Sequence, residues 1–333
     1  MYTDEDLNLA VKKGIFSDQS VHDFRDLVST SKNTPLVDEE NFKLVGGFND
    51  IFVVIACSLL LFSSLWVFSA VNSSLSFLIF TVLSWFLSEV FVRKRKMALP
   101  AIILLLSFVG GAFVLVISIF SEDSNFIIML ATAISAIAAY VHWRRFKVPI
   151  TVAAGSGAIV ATIVALVINT FPETQNAILI AIFLCGLGVF ALAMYWDASD
   201  TERTTRKSDV AFWLHLLGAP LVIHPIFSTL GILGGDESLI NMIIVLLLYL
   251  VMTLISLVVD RRAFMVSSLI YVIYALSILF KDYGGVGYNF ALTGFFMGAS
   301  LLCLSAWWHT ARARIVIFLP DWIKQYIPDA KTN

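Results

Sequence analysis

The chain has 333 residues, of which 59% are hydrophobic and 14% charged, with a mean hydropathy of +0.88 and a formal net charge of −2. A soluble domain carries about one-quarter charged residues, so a water-facing globular protein is excluded and most of the chain must face lipid. The net charge decides nothing by itself, because in a membrane protein the placement of Lys and Arg matters more than their sum.

The N-terminus "MYTDEDLNLA" is acidic and lacks a basic run followed by a cleavable apolar stretch, so the first span is expected to act as its own signal. Residues 1–45 read as a cytoplasmic helical hairpin. Thr3 with Asp6 makes a capping box for a helix that Gly14 can end, and Ser17 can cap a second helix running toward Ser29. Leu7, Val11, Ile15, Phe16, Val21, Phe24 and Val28 can pack between the two. A hairpin of this size buries little apolar surface, so it is expected either to dock on the membrane domain, a second copy or another protein, or to be a partly ordered tail.

A bilayer core about 30 Å thick needs about twenty apolar residues at 1.5 Å each. Ten such runs follow within residues 46–310, at 51–71, 75–92, 99–120, 125–143, 148–170, 177–196, 210–233, 239–259, 263–280 and 288–308. Their connections alternate. "RKRK" (93–96), "RRFK" (144–147), "DASDTERTTRKSD" (197–209) and "DRR" (260–262) are basic or mixed, whereas "NSS", "SEDSN", "PETQN" and "GGDES" carry no Lys or Arg. All of the 22 Lys and Arg except Lys281 fall on the side of the basic loops and the two termini. The positive-inside rule places that side in the cytoplasm. The expected fold is an all-α polytopic membrane protein of about ten transmembrane helices with both termini cytoplasmic.

After the last span, residues 311–333 form a basic segment. Trp322, Ile323, Tyr326 and Ile327 share a helical face after Pro320, which suits a helix lying in the cytoplasmic interface. "HWRR" and "WWHTARAR" read as anchors for anionic lipid headgroups. Basic turns centred near residues 95, 146, 203 and 261 recur every 50 to 60 residues or so, and "VRKRKMALPAI" and "HWRRFKVPITV" look alike. The pairs Gly155/Gly157, Gly186/Gly188 and Gly294/Gly298 are expected to let helices approach closely. Cys57, Cys185 and Cys303 sit in separate runs and suggest neither a disulfide framework nor a metal site.

One stretch carries candidate chemistry. "SDVAFWLHLLGAPLVIHPIF" (208–227) places Asp209 at the entrance of the seventh run, Trp213 and His215 further in, and His224 past mid-depth, directly before Pro225. Pro220 and Pro225 each remove an amide donor, so the seventh span is expected to be broken there. His224, His215, Asp209 and Trp213 would then line a substrate or proton path. In the plainer alternative the histidines only hydrogen-bond neighbouring helices. In an unbroken helix, nine residues of rotation set His215 and His224 on opposite faces. Asp197, Asp200, Arg203, Arg206 and Asp209 recur at intervals of three. On a helix they would form a charged stripe at the cytoplasmic mouth, with the arginines recognising an anion, the aspartates holding a divalent cation, or all of them merely solvated.

"GFNDIFV" (47–53), the N-terminal hairpin and "SDVAFWLHLLGAPLVIHP" (208–225) resemble uncharacterised polytopic inner-membrane proteins of proteobacteria. The resemblance implies a bacterial inner membrane and brings no activity. The span count is also similar to the drug/metabolite transporters, without a motif that makes the assignment. No metalloprotease, P-loop, nucleophile-elbow or zinc-spaced pattern occurs, so neither an enzyme nor a bound cofactor or metal is favoured, and no nucleic-acid partner is expected.

Two readings compete: a carrier or channel for a small solute centred on a broken seventh span, and a membrane scaffold or sensor recruiting partners through its hairpin and basic face. A lipid-modifying enzyme using Asp197 and Asp200 follows behind. For the topology, cysteines placed at Ser199 and Thr204 are expected to react with impermeant reagents only from the cytoplasm, and those at Ser124 and Thr174 only from outside. External labelling at residue 204 would invert the map.

Overall fold

The computed structural model describes residues 4–32, 48–120, 124–172, 174–201, 203, 205–230, 238–283 and 289–328, without the side chains of 4–6, 26, 28–32, 281–283, 289 and 290. Among the described residues every regular element is a helix, which follows from composition: in lipid each backbone amide must bond within its own segment. Thr3, Thr204, and loop residues 121–123 and 231–237 fall outside this set, so the Thr3–Asp6 capping box and one of the four labelling positions, residue 204, concern residues the structure does not describe.

The N-terminal hairpin comprises α1 (Asp4–Lys12) and α2 (Asp18–Lys32). Gly14 takes a φ of 69° at the turn, and Ser17 Oγ accepts from the Ser20 amide at 3.1 Å as a cap. The spans follow as α3 (Phe48–Ser69), α4 (Ser73–Ser88) extended by a π-helical turn over Glu89–Lys94, α5 (Ala98–Phe120), α6 (Asn125–Phe146) and α7 (Ile150–Thr170). After these come α8 (Gln175–Ala198), α9 (Arg206–Thr229), α10 (Leu239–Val259) and α11 (Ala263–Tyr283). Among the described residues nine helices are long and apolar enough to cross a membrane. A tenth span requires α12 (Asn289–Ala306) to be taken together with α13 (Trp308–Ile317), which bends away from it by 68°. A short α14 (Asp321–Lys324) follows Pro320. Leu59, Trp66, Ile137, Leu184 and Ile270 are exposed on the flanks of the bundle, a surface stable only against hydrocarbon.

Polar residues in the loops that lack Lys and Arg cap the helices that follow. Asn72 Oδ1 accepts from the Leu75 amide at 3.1 Å and Ser238 Oγ from the Asn241 amide at 3.2 Å. The basic turns share a different device. Lys96, Lys147, Arg203 and Asp260, one in each of the four, are the non-glycine residues with positive φ among those described, at 53°, 55°, 54° and 60°. A left-handed residue at a helix end reverses the chain within a few residues. Three of the four hairpins so closed, α8–α9, α6–α7 and α4–α5, are the most extensively packed helix pairs of the bundle, while α10–α11 comes after α5–α6. The repeat suggested by the sequence therefore exists as a turn geometry.

Helix α9 is the most enclosed span: 56% of its apolar window is buried, against 17–44% for the other eight. It is also continuous from Arg206 to Thr229, with Pro220 and Pro225 inside it, so the expected break is corrected. Proline costs a helix one amide bond and a carbonyl clash, but α9 packs against α7, α8 and α11, and neighbouring helices let a membrane span tolerate proline without breaking. Gly186 of α8 lies directly against the α9 backbone at that level, where an added Cβ would stand 2.8 Å from the Leu221 carbonyl carbon. Of the glycine pairs read from sequence, only this member makes so close an approach. Gly188, Gly294 and Gly298 have nothing within 4 Å of such a Cβ.

The C-terminal expectation also changes. The longer helix of this region is α13 over Trp308–Ile317, and after Pro320 only the single turn α14 over Asp321–Lys324 is helical. Trp308 and Arg312, expected as lipid anchors, are 1% and 4% exposed and point inward. Trp322 and Tyr326 remain exposed while Ile327 is buried.

Gly186→Ala is expected to destabilise the protein by about 1–3 kcal/mol, because the methyl meets backbone that cannot move aside. Gly188→Ala should leave stability unchanged. Apparent melting temperatures in detergent distinguish the two.

Candidate functional site

The basic end of α8 and α9 holds a buried ionic cluster. Asp197, in the last turn of α8, is 1% exposed. Its Oδ1 accepts from Arg261 Nη2 at 2.7 Å, and its Oδ2 from His215 Nε2 at 2.8 Å and Arg261 Nε at 3.4 Å. A carboxylate only accepts, so the His215 proton on this side sits on Nε2. The ring of Phe190 stands edge-on to His215 at 5.6 Å. Arg261 Nη2 donates further to Ser208 Oγ at 3.0 Å and to the Ser208 carbonyl at 3.2 Å. One guanidinium thereby joins α8, the start of α9 and the α10–α11 turn.

A second set adjoins it. Arg203 Nη1 donates to Asp260 Oδ2 at 3.0 Å and its Nη2 to the Asp260 carbonyl at 3.0 Å. Trp308 Nε1 donates to Asp260 Oδ1 at 2.9 Å, with Arg312 Nε at 3.5 Å from the same oxygen. Arg312 also donates to the Pro328 carbonyl, which ties the C-terminal segment down. Burial pushes the Arg203 guanidinium below its ordinary pKa, as does the neighbouring positive charge of Arg261, while Asp260 and Asp197 pull it back up. Arginine starts so high that it stays charged throughout.

These contacts reassign the predicted mouth. Asp197 ends a helix, Asp200 sits in the turn, Arg203 is left-handed, and Arg206 and Asp209 open α9. The interval of three therefore spans two helix ends and the turn between them, not one helical face. Asp200 Oδ2 accepts from the Thr205 amide at 3.0 Å and its hydroxyl at 2.6 Å, stapling the turn. The two aspartates do not converge as a cation site, and among the described residues no group of three or more His, Cys, Asp and Glu is placed to hold a metal ion. Buried at 1% and 8% exposure, they also do not face headgroups as a lipid-modifying enzyme would need.

The predicted path separates in the same way. His215 is buried toward α8, while His224 is exposed on the far stretch of α9 and bonded to α11. Tyr271 Oη lies 2.6 Å from His224 Nδ1, and Ser228 Oγ 3.4 Å from Nε2. The two histidines share no site.

Asp209 and Trp213 instead meet Arg206 at a partly open cavity of about 330 Å³. Its walls come from the α4–α5 turn (Val92, Arg93, Lys96, Met97, Ala98, Ala101, Ile102), the α6–α7 turn (Arg145 to Ile150) and the start of α9. Glu89 accepts from Arg145 Nε at 2.6 Å and from Arg93 Nη1 at 3.2 Å, fixing both guanidinium groups at the rim. The Glu89–Arg93 pair is legible as an i,i+4 spacing, but its second cation, 56 residues away, is not. Asp260, Arg261, Ser208, Trp308 and Arg312 were missed as site residues. The signal available was Asp260 itself, an acid inside an otherwise basic turn.

No family model, curated protein or solved structure matches the chain.

Arg261→Met is expected to destabilise the protein by about 3–5 kcal/mol, because it leaves Asp197 buried without its cation. Replacing both, Asp197→Leu with Arg261→Met, should recover much of that loss. Thermal unfolding of the three proteins measures the coupling, and equal losses in the single and double variants would refute it.

Proposed function

We propose that the chain is a multi-pass protein of the bacterial inner membrane that acts as a scaffold or sensor, turning its basic face and N-terminal hairpin toward the cytoplasm to engage partners. The observation that carries this reading is the closed state of the ionic cluster. The acids Asp197 and Asp260 at the basic end are bonded to the buried cations Arg261, Arg203 and Arg312. Such a network fixes relative helix positions more than it adds stability, so it suits a rigid platform.

The hairpin supplies a surface for assembly: Leu9, Ile15, Phe16, Phe24 and Leu27 are exposed on it. A small helical pair with that much exposed apolar side chain gains by covering it. The carrier reading rested on unwound backbone beside His224, and a continuous α9 with an exposed His224 bonded to Tyr271 removes that support.

Deleting residues 1–36 is expected to leave the membrane domain inserted while reducing its oligomeric state or its capture of a protein partner. Light scattering of the purified protein and crosslinking in membranes read the result. Unchanged assembly in both would overturn the scaffold reading.

A further inference from the structure

The cavity at the α4–α5 and α6–α7 turns carries a charge pattern that the ionic cluster does not use. Its rim presents Arg93, Lys96, Arg145, Lys147 and Arg206, all exposed, from three separate segments. Against these five cations stand two acids, Asp209 in the lining and Glu89 behind Arg93 and Arg145, so positive charge is in excess by three. Below the rim the walls turn apolar: Met97, Ile102, Phe146 and Ile150 are buried there, and Trp213, two turns into α9, closes the inner wall. The cavity is therefore polar and cationic at the membrane boundary and apolar beneath it.

The backbone adds to the same field. Ala98, Ile150 and Arg206, the first residues of α5, α7 and α9, all line the cavity. The dipole of a helix places partial positive charge at its start and favours anions there. Left-handed Lys96 and Lys147 lie in the turns that lead into α5 and α7, and both line the same cavity as the three helix starts. Glu89 bonds two arginines with one carboxylate, which orders them without neutralising both. At about 330 Å³ the space lies at the small end of ligand sites, large enough for a headgroup and too small for a macromolecular segment.

We propose that this cavity binds a phosphate-bearing anion, supplied by the headgroup of an anionic phospholipid or by a free phosphate ester. Arginine and lysine at the rim bond the phosphate oxygens, and the apolar walls accept the first part of a glycerol or acyl body. A diffuse basic surface would attract anionic membrane without selecting one molecule; a walled cavity with fixed guanidinium groups selects. The proposal deepens the sensor reading by naming its ligand and rests on that reading for its purpose, while the binding is measured directly and does not require partner assembly.

The test is native mass spectrometry of the full-length detergent-purified protein, titrated with phosphatidylglycerol, phosphatidylcholine or inorganic phosphate. A single saturable site for phosphatidylglycerol is expected, with phosphatidylcholine at least about tenfold weaker. Lys96→Gln with Arg206→Gln should weaken it by about tenfold or more, the scale of lost charge-assisted bonds, whereas Arg314→Gln, on the same face but outside the cavity, should not. An unchanged melting temperature without ligand confirms that the double variant folds; if it does not fold, Lys147→Gln alone is read instead. Saturable binding of inorganic phosphate that the variant abolishes, without lipid preference, assigns the site to a soluble phosphate compound and supports the phosphate chemistry. Equal binding of both lipids with no phosphate binding, or an equal loss in Arg314→Gln, overturns the proposal. Loss of assembly on deleting residues 1–36 with lipid binding retained would leave both readings standing; retained assembly with retained binding would sink the scaffold alone.

Discussion

The carboxylate of Asp197 is the point on which the basic end of the bundle depends. It is almost completely withdrawn from solvent and shared between Arg261 and His215. An isolated carboxylate there would be costly, so the α10–α11 turn must bring its arginine to the end of α8, and α9 must present His215 in the same register. Once Arg261 is so placed, the adjacent Asp260 faces Arg203, Trp308 and Arg312. The satisfaction of one buried charge thereby fixes the relative positions of α8, α9, α10, α11 and α13.

The basic end has two halves of different character. Around α8–α11, acids and bases neutralise one another inside the protein, and the turns interlock through Arg203 and Asp260. Around α4–α7, acids are scarce, Glu89 serves two arginines, and the remaining cations line an open cavity. Trp213 touches both regions, packing with the hydrophobic clusters on either side of it. A membrane protein with one closed and one open set of charges on the same face has a rigid support beside a surface able to receive an anion.

Much of this was legible in the chain. The ten apolar runs correspond to nine spans and one bent pair, with boundaries displaced by a few residues, because lipid allows a span little freedom except to be an apolar helix. The turn periodicity was visible too, and the left-handed residues at Lys96, Lys147, Arg203 and Asp260 give it a physical basis. The site was less legible. His215 and Asp197 were both singled out, but in different roles, since 18 residues of separation do not reveal a contact. Pro220 and Pro225 suggested a break through local propensity alone, and the packing of α8 against α9 at Gly186 held the helix continuous.

The sequence by itself determined the solvent of this protein and the length of its membrane segments, because each depends on composition within a single segment. The tertiary structure alone decided which charges are spent and which are available. Asp260 meets Arg203 across 57 residues, and Arg145 meets Glu89 across 56. Two aspartates read as a mouth became buried anchors, and the α6–α7 turn, whose "HWRR" was read as a lipid anchor, became with the α4–α5 turn a wall of the cavity. Long-range ion pairing and cavity formation are properties of helix ends brought together in space, and the spacing of residues along one helix encodes only local pairs such as Glu89–Arg93.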